Sequence, residues 1–388
     1  MNKNGKKLDS YCHISSGGTP SRKKKEFYGG DILWATIADI EKSNGIIIDT
    51  KEKITKEGLS SIGNRIFKEG TLLLAMYGSV GKVAIAGKRM ATNQAILGIV
   101  PKSEKEIFVP YLKYWLLANK PKIIKKARGG ILKNLSAKIV KNLKIDLPIY
   151  DDQIKIANLL SQVEALIAKR EESIKLLDEL LKSTFLNMFG DPVLNVKGWE
   201  KKTCIDVASC IVPGRDKPKS FTGKIPWITT GDLNHKSFIT LEQNYMGLSE
   251  AEISNVKAKK IPEGSVIFTC VGDLGIVSIN NEDIIMNQQL HSFQCSDKVN
   301  NIFMMFNISF QKQFMYKNAS KTTVPYMNKT TCNKIPIILP PKSLQDKFST
   351  IVQQVEESKK RYQESLNQLH QLFGSLSQRA FKGGVGFG

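Results

Sequence analysis

The sequence predicts a mixed α/β (α+β) fold in which two similar globular domains are separated by two long helices. Three observations predict this class. Landmarks of the first half recur in the second half, short apolar runs alternate with glycine-rich turns in each half, and a long amphipathic stretch follows each half. The length of 388 residues also exceeds what one core usually supports. We therefore expect a pseudo-twofold internal repeat.

Four landmarks define the repeat, and their spacing stays within two residues of constant. The matched landmarks are Trp34 with Trp227 (193 positions apart), Glu69-Gly70 with Glu263-Gly264 (194), Asn93-Gln94 with Asn287-Gln288 (194), and Leu147-Pro148 before Gln153 with Leu339-Pro340 before Gln345 (192). This period is too long for a solenoid, so each copy should be a domain with a connecting element. The predicted division is 1–150 for the first domain, 151–190 for a central helix, 191–341 for the second domain, 342–382 for a C-terminal helix, and 383–388 for a flexible tail.

The two long helices are predicted from apolar residues that recur every three or four positions. Asp151 and Asp152 supply the negative charge that favours a helix start, and Gly190-Asp191-Pro192 ends the first helix. Such a stripe needs a partner in water, and the other long helix is the economical one. We expect an antiparallel, coiled-coil-like pair that acts as a spacer. The alternative is that each helix lies across its own domain.

The charge of the chain favours a polyanionic partner. Lys and Arg number 57 against 36 Asp and Glu, a net charge of +21. Nucleic acid is the first candidate and an anionic membrane surface the second, while a generally lysine-rich proteome is the alternative explanation.

The six cysteines form no C-x-x-C pair, and the N-terminus lacks an apolar signal core. We therefore expect reduced thiols, a cytoplasmic location and no membrane partner.

The sequence contains no recognisable catalytic or metal-binding motif. Walker A, Gly-x-Ser-x-Gly and Gly-x-Gly-x-x-Gly patterns are missing, and the four histidines lack metal-ligand spacing. Asp191-Pro192 resembles the start of the Asp-Pro-Pro-Tyr motif of amino-methyltransferases, but Val193-Leu194 follow it. We interpret it as a helix end and expect no catalytic residue, metal or bound cofactor.

Three basic or glycine-rich loops occur at matching places in both copies. They are residues 15–25 and 213–220, then 77–82 and 271–275, then 127–135 and 319–327. Glycines let backbone N–H groups approach phosphate, and hydroxyl, Lys and Arg groups add donors and charge. One such loop alone would be an ordinary solvated turn, whereas three matched loops favour a DNA-binding face. The candidate DNA-binding residues are Thr19, Ser21, Arg22, Lys23, Tyr77, Ser79, Lys82, Arg128, Lys133, Arg215, Lys217, Lys219, Lys321 and Tyr326.

These strings together resemble the specificity subunit of type I restriction–modification systems over nearly the whole chain. Gly17-Gly18-Thr19-Pro20-Ser21, Gly29 to Trp34 and Asn93-Gln94 resemble the start of a target-recognition domain. Leu147 to Gln153, Lys169 to Leu180 and Met188 to Pro192 resemble its central helical region. Copy two departs from the pattern, since Gly214-Arg215 stands where copy one has the Gly-Gly-Thr-Pro-Ser string.

The resemblance implies a non-catalytic subunit that recognises a bipartite, gapped double-stranded DNA target. Each domain would bind one half of the target, and the helix pair would set the gap. Two methyltransferase subunits and the restriction subunits would be its partners, and S-adenosylmethionine, ATP and Mg²⁺ would bind to those partners. The alternatives are a stand-alone DNA methyltransferase or nuclease with unrecognised motifs, and a protein-binding scaffold whose charge is incidental.

Overall fold

The structure, a computed structural model, describes residues 5–126, 135–214, 216–241 and 244–382. Contacts within the chain divide these residues into two units. Unit 1 contains the described residues up to Arg170 and those from Ser365 onward, and unit 2 contains Glu171–Glu364. Unit 1 thus holds the first part of one long helix and the last part of the other, and unit 2 holds the remaining parts of both.

The elements of the first copy form three small sheets with short helices between them. Its strands are β1 Lys6–Lys7, β2 Cys12–Ser16, β3 Tyr28–Ala35, β4 Ile46–Ile47, β5 Lys53–Ile54, β6 Leu72–Ala75, β7 Val83–Ala86, β8 Ala91–Thr92, β9 Ile96–Pro101 and β10 Lys144–Ile145. Its helices are α1 Leu8–Tyr11, α2 Ile37–Lys42, α3 Lys56–Ser61, α4 Val109–Lys126 and α5 Ala137–Lys141, with a 3₁₀ turn at Lys25–Phe27. The long helix α6, Tyr150–Phe189, follows.

The second copy repeats the order of the strands, with a 3₁₀ turn in place of α2 and three helices instead of two before its last strand. Its strands are β11 Glu200–Thr203, β12 Ala208–Ile211, β13 Ile225–Ile228, β14 Ser237–Phe238, β15 Gly247–Leu248, β16 Val266–Thr269, β17 Val277–Ile279, β18 Ile285–Met286, β19 Leu290–Cys295 and β20 Pro336–Leu339. Its helices are α7 Cys204–Val207, α8 Glu250–Asn255, α9 Asn301–Ser309, α10 Lys312–Asn318 and α11 Lys329–Asn333, with a 3₁₀ turn at Thr230–Asp232. The second long helix is α12, Lys342–Lys382.

The sheet topology confirms the predicted repeat. The five-stranded sheet has the order β2-β9-β6-β7-β4 in the first copy and β12-β19-β16-β17-β14 in the second. The three-stranded sheets, β5-β3-β8 and β15-β13-β18, and the two-stranded sheets, β1-β10 and β11-β20, also correspond strand for strand. In each five-stranded sheet the edge strand from the middle of the copy, β4 or β14, is parallel to its neighbour, and the other pairings are antiparallel.

The central strands β6 and β16 are apolar along their length because both of their faces are covered. Leu72 and Leu74 contribute to one cluster of buried side chains, and Leu73 and Ala75 contribute to another. In β16, likewise, Val266 and Phe268 join one cluster while Ile267 joins a different one. Successive side chains of a strand point to opposite faces, so a strand covered on both sides reads as an unbroken apolar run.

The two long helices run antiparallel within each unit. In unit 2, the Phe185 ring of α6 lies 5.4 Å from that of Phe348, while Lys359 Nζ of α12 donates to Asp178 Oδ1 at 2.8 Å. Residue numbers along one helix therefore rise as those along the other fall.

In unit 1 the antiparallel direction of α6 and α12 follows from the contacts of both helices with α4. Tyr114 contacts both Glu164 and Phe373, and Tyr111, one turn earlier in α4, contacts Phe381. The start of α6 lies at this earlier part of α4, where the Phe108 ring is 6.1 Å from that of Tyr150. The two long helices thus form the expected antiparallel pair. Their residues also pack on the globular cores, so the alternative, in which each helix lies across its own domain, holds in part.

Gln153 and Gln345 fasten the first turn of each long helix to its globular core. Gln153 Oε1 accepts from Phe108 N at 2.9 Å, and its Nε2 donates to the carbonyls of Glu106 and Pro148. Gln345 makes the same three bonds, accepting from Asn300 N at 2.9 Å and donating to Lys298 and Pro340.

The measured helices begin at Tyr150 and Lys342, and α6 ends at Phe189. The contact units instead divide both helices part-way along, so the domain boundaries stay a prediction. No helix in the described ranges is long and apolar enough to cross a lipid bilayer.

Candidate nucleic-acid interface

The first basic loop of unit 1 follows β2 and is held by hydrogen bonds to its backbone. Gly18 N donates to Thr92 O at 2.8 Å, and the Trp34 indole N–H donates to Gly18 O at 3.0 Å. The Tyr28 hydroxyl donates to Pro20 O at 2.7 Å. A Cβ at Gly17 would lie 2.1 Å from Thr92 Oγ1, so the close approach of this loop to the neighbouring strand requires glycine. The Gly-Gly string therefore shapes the loop.

The candidate residues of this loop differ in what they contact. Arg22 donates two hydrogen bonds to Glu52, at 2.5 and 3.1 Å, and its guanidinium lies 4.6 Å from the centre of the Tyr28 ring. The bond from Arg22 lowers the pKa of Glu52 and raises that of Arg22, so both groups stay charged and compensate each other. The Thr19 hydroxyl donates to Gln94 Oε1. Ser21 and Lys23 are exposed.

The second loop of unit 1 joins β6 to β7 and is anchored to α2. The Ser79 hydroxyl and Lys82 Nζ both bind Glu41 Oε1, the latter at 3.3 Å. These bonds, that from Ser79 foremost, lower the pKa of Glu41. Tyr77, the remaining candidate residue of this loop, is 39% exposed.

The equivalent loop of unit 2 has the opposite charge and a different anchor. Asp273 Oδ1 accepts from Lys312 Nζ at 2.7 Å and from the Tyr316 hydroxyl at 3.2 Å, both on α10. The hydrogen bond from Lys312 lowers the pKa of Asp273. The two units thus carry loops of different charge at equivalent places of their corresponding five-stranded sheets.

The third loop lies against the second in unit 2. Met327 N donates to Cys270 O at 2.9 Å, and Gly272 N donates to Pro325 O at 3.0 Å. Lys321 and Tyr326 of this loop are exposed. In unit 1 the corresponding bond runs from Leu135 N to Met76 O at 3.0 Å. Arg128 and Lys133 lie outside the described residues.

The first loop of unit 2 carries Lys217 and Lys219, both exposed. The Gln288 side chain holds this loop, since its Nε2 donates to Gly214 O at 2.9 Å and to Asp216 O at 3.3 Å. Arg215, between those two residues, lies outside the described residues. Gln94 and Gln288 therefore contact the first loop in both units, although the sequence alone did not assign these glutamines to the candidate site.

The first and second loops leave the same end of each five-stranded sheet. Ser16 at the end of β2 pairs with Leu97, and Ala75 at the end of β6 pairs with Ile96, so both strands end where β9 begins. In unit 2, β12 and β16 end in the same way beside the start of β19. With the third loop joined to the second, the described candidate residues of each unit gather at one end of its sheet. Their role in DNA binding stays a prediction.

The described residues contain no cluster of three or more His, Cys, Asp or Glu side chains arranged to hold a metal ion. All six cysteines are unpaired thiols, four of them buried.

Comparison with known proteins identifies the family. The family model of the type I restriction modification DNA specificity domain matches residues 2–176 and again residues 196–371. The type I restriction enzyme MjaIX specificity subunit of Methanocaldococcus jannaschii is 28% identical over 381 residues, which is 91% of this chain and 86% of that protein.

Two solved structures share the fold. The type I restriction–modification S subunit from M. genitalium superposes with a TM-score of 0.62 at 14% identity, covering 99% of this chain and 98% of the other. A chain from a structure concerned with complex assembly and conformational transition of the type I R-M system gives a TM-score of 0.55 at 17% identity, covering 99% and 100%. Because the family model matches once in each half and covers most of the sequence, the chain belongs to the type I restriction–modification DNA specificity family.

Proposed function

We propose that this chain binds a bipartite, gapped double-stranded DNA target and directs partner adenine methyltransferase and restriction subunits to it, without catalysing a reaction itself. Each unit binds one half of the target, and the two long helices set the length of the unread gap. Family membership supports a role in specificity rather than the alternative of a stand-alone methyltransferase or nuclease.

The observation that carries the proposal is one sheet topology that presents two different sets of loops. The strand orders of the two copies correspond throughout, yet the second loop is basic at Lys82 in unit 1 and acidic at Asp273 in unit 2. A repeated protein with identical loops would be suited to a symmetric target. Different loops on the same sheet are suited to two different half-sites, because base edges are read by side chains that differ in donors and acceptors.

The charge of the chain supports DNA as the ligand. The net charge is +21, and several lysines of the loops, namely Lys23, Lys217, Lys219 and Lys321, are exposed. Cations on the surface gain affinity for duplex DNA by releasing the counterions condensed on its phosphates. DNA binding should therefore weaken steeply as the salt concentration rises.

Exposed leucines on the long helices support protein partners there. Leu166 of α6 and Leu372 of α12 are 51% and 46% exposed in unit 1, and Leu176 and Leu180 of α6 are 51% and 48% exposed in unit 2. Apolar side chains left in water beside a paired stripe favour a further protein surface. We assign these positions to two methyltransferase subunits, which with the restriction subunits would bind the S-adenosylmethionine, ATP and Mg²⁺. Work on genomic DNA also implies the cytoplasmic location that the thiols favour.

The test is a genome-wide map of adenine methylation in the host, by long-read sequencing, with and without this gene. The expected result is the loss of methylation at a single split motif with a fixed gap. Re-expression of the chain should restore the mark, and re-expression with Leu180→Glu should restore it less because partner docking is impaired. A motif without a gap, or a purified chain that itself methylates DNA, would contradict the proposal.

A further inference from the structure

Given the proposed function, on which this step rests, we infer that an open pocket beside the first loop of unit 1 binds a backbone phosphate of DNA, with Arg65 as its cation. Lys259 makes the matching contact in unit 2. Neither residue belongs to the loops that sequence reasoning selected.

The pocket has a volume of about 700 Å³ and opens to solvent. The first loop forms one side of it, and the turn that follows α3 forms the other, with the Gln94 side chain between them. Arg65 NH1 donates to Gly17 O at 3.1 Å, so the guanidinium is held at the rim. Its remaining N–H groups are donors of the kind that binds phosphate in fork geometry.

Arg65 carries the uncompensated charge of this pocket. Arg22 also lines the pocket, but its charge is compensated by Glu52 at 2.5 Å. Within the described ranges, Arg65 is exposed and no carboxylate oxygen lies within 4.0 Å of it. A cation without a carboxylate partner gains more from a phosphate than one that must first release its partner.

The same local structure recurs in unit 2 and places Lys259 at the equivalent position. Asn64 N donates to Leu59 O in unit 1, and Ala258 N donates to Ile253 O in unit 2, each residue being 194 positions from its counterpart. The β-bridges from Phe67 to Met90 and from Ile261 to Ile284 keep this offset. Arg65 and Lys259 each lie two residues before the bridge.

The surroundings of the two cations also match. Gly18 of the first loop abuts Ile62 in unit 1, and Gly214 abuts Val256 and Lys257 in unit 2. Lys259 is exposed and has no carboxylate within 4.0 Å in the described part of the chain, whereas its neighbour Lys260 is paired with Glu250.

This recurrence favours phosphate over a base as the ligand. The two half-sites of a bipartite target differ in base sequence and share the sugar–phosphate backbone. Features that differ between the units, such as Lys82 and Asp273, are suited to the bases, and a cation that both units keep is suited to the shared backbone. Arg65 and Lys259 therefore position the DNA rather than read it.

The experiment measures the affinity of the full chain, assembled with its methyltransferase partners, for a duplex containing the target and for one with both half-sites scrambled, over a series of salt concentrations. Arg65→Gln and Lys259→Gln each remove one charge and keep a polar side chain. Each should reduce the slope of log affinity against log salt by about 1, the double variant by about 2, and binding to both duplexes should weaken equally.

Matched controls are Lys105→Gln and Lys298→Gln. Both lysines are exposed and follow β9 and β19, at the other end of each sheet from the loops, so these variants lose the same charge and should keep the slope. Arg65→Lys keeps the charge and should retain the wild-type slope, which separates the charge from the hydrogen bond to Gly17.

Unchanged slopes in both Gln variants would overturn the inference, as would loss of affinity for the target duplex alone, which is the result expected of a base contact. In either case the wild-type complex would still bind its target and the proposed function would stand. A wild-type complex without salt-dependent DNA binding would instead refute the proposed function, and this inference with it.

Discussion

Two buried glutamines connect the sequence repeat to the geometry of the helices. Gln153 and Gln345 are 1% and 0% exposed, and each satisfies one backbone N–H and two carbonyls of its own unit. A buried amide N–H that loses its acceptor costs about 1–3 kcal/mol. The Leu-Pro landmark and its glutamine thus hold the start of each long helix at a fixed place on the core.

Gln345→Ala should lower the free energy of unfolding of unit 2 by about 2 kcal/mol, because Asn300 N–H and two carbonyls lose their partner. Denaturant unfolding followed by circular dichroism measures it. Gln353→Ala, at an exposed position of the same helix, is the control and should change stability by less than about 0.5 kcal/mol. Equal effects of the two substitutions would show that the amide bonds are unimportant.

His291 should make the stability of unit 2 depend on pH. It contacts the rings of Phe268 and Phe293, is 2% exposed, and neither ring nitrogen has a hydrogen-bond partner among the described residues. Burial lowers the pKa of His291 to about 4, and burial also lowers that of His235 to about 4. The folded state therefore keeps both rings neutral at pH values where the unfolded state binds protons.

The contribution of these two histidines to the free energy of unfolding of unit 2 should be fully present above pH 6.5. It should be lost as the pH drops from about 6.5 to about 4, because the unfolded state binds protons there that the folded state does not. His291→Leu should remove the share of that loss due to one histidine, roughly 3 kcal/mol at most. Urea unfolding at several pH values measures it. If His291→Leu leaves the slope of the free energy of unfolding against pH unchanged, the pH dependence comes from other groups.

At the scale of elements, α6 and α12 are joined in unit 2 by a cluster of aromatic rings. Phe185 contacts Phe189, Phe303, Phe306, Phe310 and Phe348, with centroids 5.0–5.9 Å apart. These rings come from both long helices and from the residues of α9 and its C-terminal end. The cluster therefore couples the helix pair to the globular core.

Phe185→Ala should lower the stability of unit 2 by about 3–5 kcal/mol, since it empties a fully buried site between three elements. Thermal and denaturant unfolding measure the loss. Leu180→Ala, on the same helix with its side chain 48% exposed, should leave stability nearly unchanged while weakening association with the proposed methyltransferase partner. A stable Phe185→Ala variant would mean that the aromatic cluster does not couple the helices to the core.

At the scale of the whole molecule, the main expectation is that each unit recognises one half of the DNA target. The second loops of unit 1 and unit 2 occupy the same place in their sheets and differ in their anchors, which are Glu41 of α2 in unit 1 and Lys312 and Tyr316 of α10 in unit 2. Changes confined to one unit should therefore alter one half of the target.

Asp273→Asn should alter methylation at one half of the split motif, because it removes the charge that orders Lys312 and Tyr316. Glu41→Gln should alter the other half, since it loosens Lys82 and Ser79. Long-read methylation maps of strains carrying each variant measure both effects. Changes at the same half in both strains, or at both halves in either strain, would contradict one half-site per unit.

The sequence by itself determined the repeat, the class of fold and the two long helices. Landmarks such as Trp34 and Trp227 and the spacing of apolar residues in α6 are local patterns, and they depend on backbone periodicity that a linear sequence displays. The family predicted from these strings is confirmed by the match of its model to both halves.

The tertiary structure alone decided which side chains carry available charge. Arg22 is compensated by Glu52, 30 positions away, and Lys82 by Glu41, 41 positions away, whereas Arg65, beside a pocket, has no carboxylate partner among the residues that the structure describes. The pairing of the second and third loops in unit 2 likewise joins residues more than 50 positions apart, at Gly272 and Pro325. Charge compensation and loop contact depend on distances between residues remote in sequence, and periodicity contains no information about those distances.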